Sequence, residues 1–224
     1  QVLLELMVKS NNILANHPVN LARLGKGYRP ANSVWFWGQG KKPAIPSFTD
    51  KYGLSGSVVC AVDLIKGLGI CAGLEAVNVP GATGGTVTNY RGKAQAALAE
   101  LRQGKDFVYI HIEAPDEAGH RGELETKIQA IEAIDKQVVG EIQQGLEESR
   151  HLPGMEDYRL LILPDHATPL SIRTHAADEV PFLIYQRSNH LDNQVNGYNE
   201  EAARLSGLRL ENGYKLMDYF IQGA

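Results

Sequence analysis

Asp106-Phe-Val-Tyr-Ile-His-Ile-Glu-Ala-Pro-Asp-Glu-Ala-Gly-His120 decides how this chain folds. Its first seven residues form an apolar run rich in β-branched and aromatic side chains, the pattern of a strand buried on both faces. Its last residues carry Asp116 and His120, four positions apart, with Gly119 allowing a close backbone approach. One turn of helix or a tight loop aims both side chains at one point. A carboxylate and an imidazole together suit Zn²⁺ or Mn²⁺. Open α/β sheets place their functional residues just past the carboxyl ends of their strands, where this pair falls.

Outward from this stretch, the pattern repeats. Ser33–Gly38 is a short apolar run ending in glycine, Ser57–Val62 is another, and Glu75–Val79 is closed by Pro80-Gly81. Tyr158–Leu163 and Val180–Tyr185 complete six predicted strands. Helices are predicted over 1–17, 89–102, about 123–147, 199–205 and 213–221. In the longest, Leu124, Ile128, Ile131, Ile134, Val138 and Ile142 make one stripe at spacings of three and four. Residues 18–32, with Pro18, Gly25, Gly27 and Pro30, read as a linker. Apolar strands alternating with helices give an α/β fold, a mostly parallel sheet covered by helices on both faces.

Two more segments carry ligand-type residues. Leu163-Pro-Asp-His-Ala-Thr-Pro169 directly follows the fifth strand and sets Asp165 beside His166. Adjacent side chains in a strand diverge, but where the chain turns both can approach one cation or straddle two. Thr174-His-Ala-Ala-Asp-Glu-Val-Pro181 precedes the sixth strand and offers His175. Each segment alone is weak, since a lone histidine at a strand end is more often a hydrogen-bonded structural residue. Asp178 and Glu179 are most simply solvated loop charges. Together, the three segments call for a common explanation, and a metal site supplies one. His111, inside its strand, reads as packed with one hydrogen bond. His17, His151 and His190 read as surface, and Lys127 and Asp135 as solvent pairs on the long helix.

Composition narrows the function classes. The 224-residue chain has a net charge of −4. It lacks the basic excess of a nucleic-acid binder and of a polybasic membrane-surface protein. No apolar run approaches the ~20 residues that span a bilayer, and residues 1–9 lack the basic-then-apolar order of a signal peptide. Cys60 and Cys71 read as two buried free thiols in a reducing compartment, with a disulfide as the competing reading. The expectation is a cytoplasmic protein.

The order Asp116-x-x-x-His120, Asp165-His166, His175 resembles the alkaline phosphatase superfamily. Trp35-Phe-Trp-Gly-Gln-Gly-Lys41, Val79-Pro-Gly-Ala-Thr-Gly84, His111–His120 and Lys127-Ile-Gln-Ala-Ile-Glu-Ala-Ile-Asp135 resemble the archaeal-type cofactor-independent phosphoglycerate mutases, which also occur in bacteria. The resemblance runs along almost the whole chain and implies an alkaline-phosphatase-like core. It implies an isomerase of glycolysis that interconverts 3-phosphoglycerate and 2-phosphoglycerate through a serine phosphoenzyme. Two divalent metals (Mn, Zn or Mg) are implied, without a bisphosphoglycerate requirement. By position, Asp116, His120 and His175 resemble the ligands of one metal, and Asp165 and His166 those of the other. Lys66 resembles a phosphate-binding lysine, and Lys41 follows the first predicted strand in the same way; a surface lysine is the competing reading for both. His111 and Glu113 are further candidates for the site lining.

The chain departs from that pattern at its start. The family begins with a strand ending in Asp, followed by a serine nucleophile, and both bind the second metal. The first Asp here is Asp50, and no serine has the nucleophile's context. The expectation is a C-terminal portion: 1–28 ending an inserted cap domain and its return linker, 29–224 forming the metal-binding domain. Its partner would be the missing N-terminal segment of the same protein, which brings one Asp and one Ser. Other readings stay open: another phosphotransferase or phosphohydrolase of the superfamily, or a non-catalytic metal-binding domain.

Overall fold

A computed structural model describes residues 1–38, 40–189 and 195–222, so Gln39 and His190 lie outside the described residues. The chain divides into two compact units, 1–43 and 44–224.

The first unit holds α1 (Val2–Leu14) and α2 (Pro18–Gly25). The linker expected over 18–32 instead begins with a helix, as α2 starts at Pro18. Proline suits the first helical position, where its missing N–H would be unpaired anyway, and the His17 side chain caps the helix by accepting from Val19 N at 3.3 Å. Asn20 is buried and ties the unit together. Its amide donates to Leu14 O (2.7 Å) and Ala31 O (2.9 Å), and its Oδ1 accepts from Ala31 N (2.9 Å). The strand expected at Ser33–Gly38 is absent. Trp35 and Trp37 are 78% and 79% exposed, and Val34 N donates to Ser10 Oγ instead of to a ladder. An apolar run becomes a strand only where an edge receives its backbone, and among the described residues this one meets none.

The second unit opens with α3 (Phe48–Tyr52), then β1 (Gly56–Val59), α4 (Asp63–Cys71), β2 (Glu75–Val77), α5 (Tyr90–Arg102) and β3 (Phe107–Ile110). These strands form a parallel sheet in the order β2-β1-β3. Alternate residues of β1 serve opposite faces. Val58 packs so closely under α4 that a Cβ on Gly69 would lie 2.6 Å from it, whereas Ser57 donates to Glu100 of α5 at 2.5 Å. The two helices therefore cover opposite faces, as expected. Cys60 and Cys71 are free; Cys60 is buried, but Cys71 is only half-buried.

After β3 come α6 (Ala114–Arg121), α7 (Leu124–Ile134), a π turn (Asp135–Val139) and α8 (Gly140–Ser149). The predicted single stripe breaks at the π turn. Leu124, Ile128 and Ile131 are exposed, while Ala130, Val138 and Leu146 are buried. A π turn adds one residue to the ladder, which rotates the two halves by roughly 100° relative to a straight helix. Gly145 lets α8 reach α5: a Cβ there would stand 2.3 Å from the buried Leu98. Gly145→Val should lower stability by about 1–3 kcal/mol through overpacking, read as a reduced urea midpoint at unchanged slope.

β4 (Arg159–Ile162) and β5 (Leu183–Gln186) follow, then α9 (Glu200–Ser206), a 3₁₀ turn (Gly213–Lys215) and α10 (Leu216–Gln222). The last two strands depart from the parallel majority. β4 and β5 form a separate antiparallel pair, with Ile162 opposite Leu183. Among the described residues, β3 and β4 each pair on one side only, and both line a cleft of about 1060 Å³ with Ile134, Val138, Ile142 and Phe220 among its walls. No helix among the described residues is long and apolar enough to cross a membrane.

Candidate metal centre

α6 begins four residues past β3, with Pro115 in its first turn and Gly122 (φ 72°) closing it. Asp116 and His120 therefore lie one turn apart on the same helical face. Asp116 Oδ2 stands 3.3 Å from His120 Nε2. His175 arrives from a distant loop, its Nε2 3.1 Å from His120 Nε2 and 3.5 Å from Asp116 Oδ1. One ligand atom from each residue falls within 4.8 Å of the others, a group that could hold a metal ion.

The antiparallel turn of β5 explains why His175 reaches this point. Had β5 run parallel to β4, the segment before it would start from the opposite end of the pair. Instead, beyond the end of the ladder an isolated antiparallel bridge joins Ala167 and Ala176, where Ala176 N donates to Ala167 O at 2.9 Å. That bridge draws the 165–168 and 174–176 segments together. The His166 ring lies against that of His175, tilted by 31° with ring centroids 3.8 Å apart.

Three supporting residues carry no signal in the sequence. The Thr168 hydroxyl donates to Asp116 Oδ1 and lies 3.3 Å from His166 Nδ1, linking the two ligand groups. Lys127 is no solvent pair: its ammonium donates to Thr168 O at 2.7 Å and fixes the loop onto α7. The Arg173 carbonyl receives His120 Nδ1 at 3.0 Å. A carbonyl only accepts, so Nδ1 carries the proton and Nε2 presents its lone pair to the cluster. Arg173 holds a left-handed φ of 54°, a strained setting for a residue with a side chain. No pattern in the sequence marks Thr168 or Arg173, because their role lies in contacts across 50 or so positions.

The remaining candidates are more dispersed. Asp165 and His166 stay paired, with His166 N donating to Asp165 Oδ1 at 3.0 Å and Nε2 3.4 Å from Oδ2. Both flank the trio without joining its close group. Lys66 donates to Asn78 Oδ1 at 3.3 Å and lines a cavity of about 350 Å³ with Cys60, Val79 and Pro80. Lys41 is exposed in the first unit. Among the described residues the buried His111 Nδ1 has no hydrogen-bond partner, and burial pushes the imidazole below the ordinary histidine range. Glu113, pressed against Gly84, has its carboxyl pushed up by burial and then by Glu117 and Asp116.

The donor set fits a divalent cation. Two imidazoles and a carboxylate, one imidazole fixed by a backbone carbonyl, are the kinds of group that make an open three-ligand site. At 3.1 Å the two Nε2 atoms share either a proton, as a hydrogen bond, or a cation.

Comparison with known proteins gives the chain its relatives. The chain is 48% identical over 219 residues to a probable 2,3-bisphosphoglycerate-independent phosphoglycerate mutase of Geobacter sulfurreducens, covering 98% of this chain and 53% of that protein. It is 47% identical to the Methanothrix thermoacetophila 2,3-bisphosphoglycerate-independent phosphoglycerate mutase, covering 99% and 55%. The chain thus spans about half the length of the curated relatives it matches. Among solved structures, the PH0037 protein of Pyrococcus horikoshii superimposes with a TM-score of 0.76 at 28% identity, covering all of this chain and 57% of that one. The cofactor-independent phosphoglycerate mutase of Thermoplasma acidophilum gives 0.59 at 25% identity, covering 97% and 50%. The model of the metalloenzyme superfamily matches residues 7–213, a span that includes every residue of the cluster. On that match the chain belongs to the metalloenzyme superfamily, as a homologue of the archaeal 2,3-bisphosphoglycerate-independent phosphoglycerate mutases.

Proposed function

We propose that this chain carries the divalent-cation site of a phosphoglycerate mutase that interconverts 3-phosphoglycerate and 2-phosphoglycerate. The observation that carries the reading is the convergence of Asp116, His120 and His175 from two segments 55 residues apart. Asp116, His120 and His175 would hold one cation, and Asp165 and His166 would contribute to a second. Such ions, Mn²⁺, Zn²⁺ or Mg²⁺, neutralise phosphoryl charge and lower the pKa of a coordinated hydroxyl.

The chain's own residues orient and position. Thr168 restrains one carboxylate oxygen of Asp116, and the Arg173 carbonyl keeps His120 in the tautomer that offers Nε2. Lys66 and Lys41 are the candidate contacts for the anionic substrate. In this reading the serine nucleophile and a further carboxylate lie outside this chain, which spans about half the length of the curated relatives it matches. The cleft between the one-sided strands β3 and β4 supports that division, since unpaired strand edges call for a partner. The reading of 1–28 as the end of a cap and 29–224 as the metal-binding domain belongs to the same proposal.

Two measurements test it. Calorimetric titration with Mn²⁺ near neutral pH should give one tight site and one weak site. A coupled assay on 3-phosphoglycerate with added Mn²⁺ should give little turnover from this chain alone. Absence of Mn²⁺ binding would refute the cation reading, and robust turnover would refute the missing nucleophile.

A further inference from the structure

We propose that Lys93 is a positioning residue whose buried ammonium holds the turn between β3 and α6, keeping Asp116 and His120 aligned with His175 before any cation binds. The inference rests on the cation reading of that site.

Lys93 sits on the buried face of α5, only 1% exposed, among Tyr90, Ala94 and Ala97. Burial pushes its ammonium below the ordinary lysine range, with Cys60 and Glu113 as the facing groups that oppose this. An ammonium has three donors, and among the described residues the one hydrogen-bond partner of Nζ is the His111 carbonyl, 3.2 Å away. A charge so placed is costly, and an apolar side chain of the same length would fill the space at less cost. A core position that keeps a lysine therefore needs a reason beyond packing.

The carbonyl it grips supplies that reason. His111 N donates to Val59 O at 3.0 Å, so His111 is the last rung that ties the β3 segment to β1. Its carbonyl is the first backbone group beyond the sheet. Three residues later Ala114, fully buried, starts α6, and Asp116 lies in that first turn. Lys93 thus anchors the chain between the rigid sheet and the ligand-bearing helix. It also faces Glu113, the residue that precedes α6, and partly offsets the burial that raises the Glu113 carboxyl. Without this grip a buried carbonyl loses its partner, and the turn is free to move relative to the loop that carries His175.

Lys93→Met in the whole chain separates positioning from mere packing. The melting temperature should change little, because removing a buried charge and leaving the His111 carbonyl unpaired act in opposite directions. In the metal-free chain, amide exchange over Glu117–His120 should quicken while β1 and β3 keep their protection. Mn²⁺ affinity should fall about tenfold, the scale seen when a residue supporting a metal ligand is removed. Lys93→Leu, a second uncharged filling of the same space, should behave alike. Unchanged exchange over Glu117–His120, or unchanged Mn²⁺ affinity alongside a wild-type chain that binds, overturns the proposal. Protection lost across β1, β3 and α5 together does so as well, because it marks a structural role alone. A wild-type chain that binds no Mn²⁺ refutes the cation reading instead, and the exchange measurement still reports whether Lys93 holds the turn.

Discussion

Asp116→Ala lowers the affinity of the chain for Mn²⁺ by roughly 100-fold or more, beyond the range seen when only a residue supporting a metal ligand is removed. Asp116 is the sole anion of the trio, and both its oxygens face imidazole nitrogens at 3.3 and 3.5 Å. Removing it leaves His120 and His175 as two neutral donors with no charge to hold the cation. Asp116→Asn is the sharper form of the experiment. It keeps the side-chain volume and an oxygen for the Thr168 hydroxyl, yet it removes the charge, so its loss of affinity reports the charge itself. Asp165→Ala should leave the tight site nearly intact and remove the weak one, because Asp165 pairs with His166 outside the close group. Titration calorimetry reads all three variants. An Asp116→Ala chain that binds Mn²⁺ like the wild type would sink the assignment of the trio as the cation site.

The second large effect is expected at Gly119. A Cβ at this position would lie 2.7 Å from Thr168 O and 2.9 Å from Thr168 Cγ2, with Lys127 Nζ at 3.2 Å. The obstacle is partly backbone, and that carbonyl already receives the Lys127 ammonium. Gly119→Val must push α6 away from the 165–168 loop and break this hydrogen bond. Overpacking and a broken charge-assisted bond together cost about 3 kcal/mol or more. Metal binding should weaken in the same variant, since α6 bears Asp116 and His120 while the loop bears Asp165, His166 and Thr168. Urea unfolding and Mn²⁺ titration on one preparation would show both losses. Preserved stability with preserved affinity would mean that the close approach is dispensable.

Much of this candidate site is readable in one dimension because its residues come in short local groups. Asp116 and His120 are one helical turn apart, and Asp165 and His166 are neighbours; local spacing settles each pair. Gly119 is legible too, since a glycine between two ligand-type residues suggests a neighbour pressing on the backbone, and that neighbour is Thr168. Thr168, Arg173 and Lys127 are not legible. Threonine, arginine and lysine occur in any loop or helix, and their significance lies in partners across the fold. Ser33–Gly38 misleads for the opposite reason: an apolar run carries β-propensity whether or not an edge is present to pair with it.

The sequence by itself determined the α/β class, the positions of most helices, five of the strands and the identity of the candidate ligand residues. Period and composition encode these, because burial of an apolar face is decided locally. Tertiary structure alone decided how those residues meet. The sequence pattern gives a mostly parallel sheet without saying which way β5 runs, and a parallel β5 would carry the His175 segment away from the end of β4. Ladder direction is set by which edges pair, and no period-two pattern records it. Antiparallel pairing of β4 with β5, together with the isolated Ala167–Ala176 bridge, brings His175 back to His120. The π turn acted likewise on the long helix, where a one-residue change of phase turned Leu124, Ile128 and Ile131 to the surface.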